Sequence, residues 1–455
     1  MPVITIDKRN FIKGQSTADT LSDGGFSNDS TVEVLRNGST FAYLNWGRTK
    51  TESSTNIASY IAASAFGNNL RRYSIDETGK LYETNVTSYT HTLKYTESVK
   101  AYDTTSSSII SYKNKLYITS TTDIYRENYT FSENDDNWWT GTLGKTALTT
   151  AVPHILFEFN DLLYVTNGNK VWSTDGTVGY TTGSNTLTLT DDWIIYKAYT
   201  SGTDIYLFAV FKSLNTSYNK PNKIFVWDGY SESWTREIVL STDMIRGITM
   251  TSTGIYFSDG NYLYKFDGYN YSIVPTNLGE GGVKTMVSNK NDIFYVGGTS
   301  IYKYNTTYGA TCKIATFATY EPVFIFNDYQ DEVTCFTRDQ AVSKGVYYYL
   351  TNNLDTTSFY SNYYDFERPV YLRKIEIVFS AATVTNTSYT ARIRNELDSS
   401  IQEISITDVG IQKFTKLINH HLDSFRLHIT SNHASNKPIK WIKIYYDPSE
   451  RSNNK

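Results

Sequence analysis

Pairs of apolar residues, one of them usually aromatic, return along this chain between short polar turns. Lys115-Leu116-Tyr117-Ile118-Thr119 is followed closely by Ile124-Tyr125. Leu162-Leu163-Tyr164-Val165-Thr166-Asn167-Gly168 leads into Lys170-Val171-Trp172, and Ile205-Tyr206-Leu207-Phe208 precedes Ile224-Phe225-Val226-Trp227-Asp228-Gly229. Gly254-Ile255-Tyr256-Phe257-Ser258-Asp259-Gly260 pairs with Tyr262-Leu263-Tyr264, and Ile293-Phe294-Tyr295-Val296-Gly297-Gly298 with Ile301-Tyr302-Lys303-Tyr304. Apolar alternation joined by Asp-Gly, Asn-Gly or Gly-Gly predicts antiparallel hairpins, because those dipeptides accept the positive φ angles of tight turns.

The aromatics Tyr82, Tyr117, Tyr164, Tyr206, Tyr256 and Phe294 are separated by 35, 47, 42, 50 and 38 residues. Those steps straddle the ~40–50 residues of a four-stranded propeller blade. Phe41-Ala42-Tyr43-Leu44 reads as a further inner strand and Val346-Tyr347-Tyr348-Tyr349-Leu350 as a later one. The fold class is therefore all-β, a β-propeller of six or seven blades. The competing arrangement is one long β-sandwich with uneven hairpins.

From about residue 357 the texture changes to strands with longer, irregular connections. They include Val370-Tyr371-Leu372-Arg373-Lys374-Ile375-Glu376-Ile377-Val378-Phe379, Tyr389–Arg394, Ile401–Ile406, Phe425–Ile429 and Ile439–Tyr446. This predicts a C-terminal β-sandwich of jelly-roll type. The domains expected are an N-terminal arm over 1–38, the propeller over 39–355 and the sandwich over 356–455. The arm offers turn residues such as Ser16–Gly25 and little to bury.

Composition sharpens the picture in one direction. Tyr numbers 39 and Phe 22 while charged residues are 19%, the profile of broad, half-exposed sheet faces. The net charge of −4 supplies no basic field for nucleic acid or anionic membrane. No apolar run approaches the ~18 residues of a membrane-spanning helix. The start, Met1–Arg9, lacks the apolar core of a signal peptide, so the Asn-x-Ser/Thr triplets read as accidents of composition. Cys312 and Cys335 form no disulfide framework and read as reduced core thiols.

Ile4-Thr5-Ile6-Asp7, Phe11-Ile12-Lys13-Gly14 and Gly24-Gly25-Phe26 resemble the opening of virion proteins of tailed bacteriophages. The hairpin array followed by a sandwich ending in Lys440-Trp441-Ile442-Lys443-Ile444-Tyr445-Tyr446 resembles, in plan, the tail nozzle proteins of short-tailed phages. The resemblance implies a structural, non-enzymatic tail subunit (nozzle, hub or ring) forming part of a DNA conduit or adaptor. It implies a virion location, assembly in the host cytoplasm without export, and a ring of identical copies, a hexamer, beside other tail or adaptor proteins. DNA would pass without sequence specificity, and a conduit wall is expected to be polar or acidic so that the polymer does not adhere. No functional residues carry over, and no cofactor is implied.

Candidate chemistry is sparse. Ser173-Thr174-Asp175-Gly176-Thr177 is one imperfect copy of the Asp-box turn of sialidases, and Asp-Gly at Asp175, Asp228, Asp259 and Asp267 fits plain turns. The densest acidic loop is Glu133–Asn137. Its Asp135 and Asp136, beside Trp138 and Trp139, would suit Ca²⁺ or a sugar, against a solvated loop with one Trp tucked into a blade. Propellers also carry paired carboxylates for glycoside hydrolysis, which sequence alone leaves open. His420, His421, His428 and His433 lack the convergent spacing of a zinc site. No P-loop, dinucleotide fingerprint or nucleophile elbow is present. The runner-up to a tail subunit is a receptor-recognition protein binding a host surface glycan, and behind it a glycosidase.

Overall fold

The computed structural model describes most of residues 108–448 and, before them, 2–6, 60–67, 71–76, 80–85, 91–95 and short strands between 15 and 53. The segments 129–137, 178–185, 213–221, 328–332, 340–344, 352–356, 361–363, 384–387, 432–438 and 449–455 are the longer ones outside that description.

The described strands form six four-stranded sheets, one three-stranded sheet and one larger sheet system. The seven small sheets are blades, here numbered 1 to 7, built by hairpins in chain order. Blade 1 opens at Tyr60–Gly67, blade 2 at Ile109–Tyr112, blade 3 at Leu156–Phe159 and blade 4 at Trp193–Ser201. Blades 5, 6 and 7 open at Gly247–Thr251, Val283–Asn289 and Tyr320–Asn327. Blade 2 is the three-stranded one; after Ile124–Glu127 a single π-helical turn, Trp138–Thr142, packs on it.

Each junction between successive blades is its own apolar core, and the period-2 geometry of a strand divides its residues between two of them. In Asp204–Phe211, the second strand of blade 4, Ile205, Leu207 and Ala209 pack with Phe157, Tyr164 and Val171 of blade 3. Tyr206, Phe208 and Val210 of the same strand pack with Ile255, Phe257 and Phe266 of blade 5. A sheet covered on both faces reads as an unbroken buried run, and Ile205–Val210 is buried throughout. The recurring tyrosines are accordingly core residues, not the half-exposed surface expected from composition: Tyr117, Tyr164, Tyr206 and Tyr256 are all buried.

These four and Phe294 lie on the second strands of blades 2 to 6, but Tyr82 lies on the third strand of blade 1. That offset accounts for the short first step in the spacing. Blade 7 takes its outer strand from far upstream. Gly345–Thr351 pairs antiparallel with Gly47–Ser53, Val346 opposite Ser53 and Thr351 opposite Gly47, which closes the ring with an early segment of chain. Val346–Leu350 thus belongs to the propeller.

The larger sheet system is a sandwich whose two layers share a strand. Lys413–Ser431 pairs with Tyr364–Phe379 along its first part, and with Thr357–Tyr360 and Tyr389–Arg394 along its last. Such a corner strand passes from one layer to the other. Ile375, Ile377, Ile442 and Ile444 face Tyr389, Ile393, Leu427 and Ile429 across one core.

The N-terminal arm is corrected where it is described. Val3–Ile6 pairs antiparallel with Ile439–Pro448, Val3 opposite Tyr445, and Ile6 is fully buried in the sandwich core. Phe41–Ala42 pairs with Ile439 and with Glu33–Val34, so it joins the sandwich sheet and is not an inner blade strand. The propeller is an insertion between the first strands of the sandwich and the rest of it. Short range is the physical reason the arm looked separate: its apolar partners lie more than four hundred positions away in the chain.

Candidate functional site

Asp135 and Asp136 lie outside the described residues. Trp138 and Trp139 are 0% and 1% exposed, and they fill the junction of blades 2 and 3 rather than a ligand surface. Tyr117 meets Trp138 edge-on at 4.7 Å, and Trp139 stacks on Trp172 at 5.9 Å. The turn carrying them is fixed by Asp123, whose Oδ1 accepts from the amides of Ile124 and Trp139 at 2.7 and 3.1 Å. Indole rings of this size contribute most when buried in such an inter-blade core.

The Asp-Gly pairs are turns. Asp228 Oδ1 accepts from the amides of Tyr230 and Ser231, both at 2.8 Å, and Asp267 accepts from Tyr269 and Asn270 at 2.8 and 2.7 Å. Asp259 does the same for Asn261 and Tyr262. Asp175 accepts from the amide and hydroxyl of Thr177. The Asn270 and Tyr269 amides hold the Asp267 carboxyl below the usual range. For Asp228, desolvation pushes upward but the Ser231 hydroxyl and turn amides outweigh it. Each of these carboxylates accepts the hydrogen bonds that close its own turn.

The same turns link blades. Tyr164 of blade 3 donates to the Gly229 carbonyl of blade 4 at 3.2 Å. Tyr196, the extra residue of a β-bulge in the innermost strand of blade 4, accepts from the Ile245 amide at 2.9 Å ahead of blade 5. Another bulge, in Val283–Asn289, presents Lys284 to Glu321 of the next innermost strand at 2.5 Å. Lys197 also lies on an innermost strand, with burial lowering its pKa. The described first strands of the blades therefore carry both signs of charge.

Sequence reasoning missed a groove of about 570 Å³ at the hairpin ends of blades 3, 4 and 5. Glu158, Phe159, Asn160 and Asp161 line one side; Thr200, Ser201, Gly202 and Met250 line the other. Asn160 and Asp161 form the tip of the first hairpin of blade 3, both at positive φ (48° and 62°), the geometry of a type I′ turn. The Tyr112 hydroxyl of blade 2 donates to the Asp161 carbonyl and steadies that tip. Asn160 Nδ2 donates to the hydroxyl of Tyr230, 2.7 Å away on blade 4, a residue 54% exposed. Ser201 Oγ lies 3.2 Å from Met250 Sδ across the blade 4–5 boundary. The sequence reading singled out none of these residues.

Among the described residues no three His, Cys, Asp or Glu side chains converge as a metal site. Cys335 is a free, buried thiol whose pKa is pushed up by burial. No helix among the described residues is long and apolar enough to cross a membrane.

No family model matches the chain and no curated protein matches it. Solved structures do. A streptogramin B lyase is 12% identical, covering 67% of this chain and 98% of its own at a TM-score of 0.47. The Cps50 (Swd1) β-propeller domain of Myceliophteria thermophila is 7% identical over 67% of this chain and 100% of its own, also at 0.47. YCF48 from Cyanidioschyzon merolae is 11% identical over 66% of this chain and 98% of its own, at 0.47. This chain carries a β-propeller. That follows from its own strand pairing; likeness at this level conveys no activity, ligand or partner.

Proposed function

We propose that the protein is a structural subunit of a phage tail, of the nozzle type, which assembles head to tail into a hexameric ring. One observation supports this reading above others: exposed large apolar side chains fall on two unlike parts of the molecule. Val239, Tyr262, Tyr269 and Ile273 are exposed on blades 4 and 5, and Leu397, Val409 and Leu417 on the sandwich. A closed ring of identical subunits needs a heterologous contact, one patch docking a different one on the next copy. Exposed apolar side chains on both the propeller and the sandwich are suitable material for that contact.

The engagement of the Asp-Gly carboxylates in turns agrees with a structural role, as does the plan resemblance to nozzle proteins. Light scattering and negative-stain images of the purified protein test the reading. The expected result is a closed ring that Val239→Glu or Leu417→Glu reduces to monomers with unchanged melting temperature. A wild-type protein that stays monomeric at high concentration, and that is missing from purified virions, overturns it.

A further inference from the structure

We propose that the groove at the hairpin ends of blades 3 to 5 is a carbohydrate site that takes a sugar residue without acidic groups, neutral or amine-bearing. The inference stands on the groove alone and does not depend on ring assembly.

Its volume of about 570 Å³ accommodates a small ligand and falls within the ~300–1,000 Å³ typical of such sites. Its polar lining is made of acceptors and hydroxyls: the Glu158 and Asp161 carboxylates, the Asn160 amide, and Thr200 and Ser201. Carboxylates accept two hydrogen bonds side by side, which suits neighbouring hydroxyls on a sugar ring. Among the described residues no Lys, Arg or His lines the groove, so a sulfate, phosphate or uronate would face the Glu158 and Asp161 carboxylates.

An aromatic side chain stands next to the lining. The Tyr230 hydroxyl accepts from Asn160 of the groove lining, and its exposed ring would offer an apolar face to the C–H groups of a sugar that extends past Asn160. That bond spans two blades and fixes the ring before a ligand arrives, which lowers the ordering cost of binding. Phe159 and Met250 supply the remaining apolar surface.

The test is an array of immobilised neutral, amine-bearing and sialylated or uronate-bearing oligosaccharides probed with the labelled full chain. Calorimetric titration of the best hit into wild type, Tyr230→Ala, Glu158→Gln and Lys170→Ala follows. Signals confined to neutral or amine-bearing glycans are expected, with affinity about tenfold weaker in the Tyr230 and Glu158 variants, some 1.4 kcal/mol. Lys170→Ala, an exposed lysine outside the groove, should bind as wild type, and all variants should keep the wild-type melting temperature and particle mass. The proposal is overturned by no binding to the array and none at millimolar glycan, by preference for acidic glycans, or by binding indifferent to both groove variants. Displacement of the sugar reading by a Lys/Arg-rich peptide that alone occupies the groove overturns it equally.

Discussion

The guanidinium of Arg72 lies over the Phe326 ring, 4.7 Å from its centroid, and over Phe336 at 5.4 Å. Arg72 is a fully buried residue of blade 1, and the two phenylalanines belong to blade 7. The other six junctions are closed by aliphatic and aromatic packing; this one, where the ring meets itself, adds a buried cation against aromatic faces. A desolvated cation over two rings attracts more strongly than an exposed one. Arg72→Ala should therefore destabilise the propeller by about 3 kcal/mol, with Arg72→Lys intermediate, in urea unfolding monitored by tryptophan fluorescence. A wild-type unfolding midpoint for Arg72→Ala would remove the seam from this account.

Inside blade 6, Lys303 Nζ sits 3.0 Å from Asp292 Oδ2, with the two side chains 2% and 4% exposed. Asn305 donates to the other carboxylate oxygen at 2.7 Å. Removing one member strands the other charge in a medium that cannot solvate it. Lys303→Met or Asp292→Leu alone should cost about 3–5 kcal/mol, while the double variant recovers most of the loss. A double variant that loses the sum of the two single losses would show the pair to be uncoupled.

Glu376 is the acid sensor of the sandwich. Burial by itself raises its pKa, but Lys374 at 3.0 Å, the Tyr445 hydroxyl at 2.9 Å and Lys413 at 3.2 Å outweigh that and bring it to about 2. A carboxyl depressed in the fold favours folding while ionised. Its contribution is complete above the ordinary value of 4.5 and is lost as pH falls toward about 2. Denaturation midpoints from neutral pH downward should decline more steeply for wild type than for Glu376→Gln over that window. Parallel curves would contradict the assignment.

Gly229 and Gly202 share a positive φ, 83° and 61°, but not their surroundings. A Cβ on Gly229 would stand 2.8 Å from Phe159 Cε1, whereas one on Gly202 meets nothing within 4 Å. Gly229→Ala should lower stability by about 2–4 kcal/mol, backbone strain plus overpacking, and Gly202→Ala by about 1 kcal/mol from strain alone. Thermal unfolding of the two variants separates the contributions; equal losses would leave the Phe159 contact without effect.

The Leu/Ile-Tyr pairs with their polar turns were legible as hairpins because strand alternation and turn chemistry are local. Val346–Leu350 was legible as a strand but not as a member of blade 7, since its partner Gly47–Ser53 is remote in sequence. Tyr82 matched the motif yet sits one strand out of step, because a Leu-Tyr pair suits any buried strand of a blade. For Trp138 and Trp139 the sequence left open a sugar or Ca²⁺ site beside acids, against a Trp tucked into a blade; burial against Tyr117 and Trp172 puts both rings in the core between blades 2 and 3. The groove was invisible because its two walls, Glu158–Asp161 and Thr200–Gly202 with Met250, meet only when three blades stack.

The order of residues alone dictated pleated strands, tight turns and small sheets, since each depends on interactions within a few dozen positions. Where the ring closes, which face of each strand serves which neighbour, that Ile6 beds against the last strand, and that Asn160 reaches Tyr230 were decided only in three dimensions. Contacts of that kind rest on the entropy of closing long loops and on the packing of preformed sheets, and neither quantity is written in a local pattern.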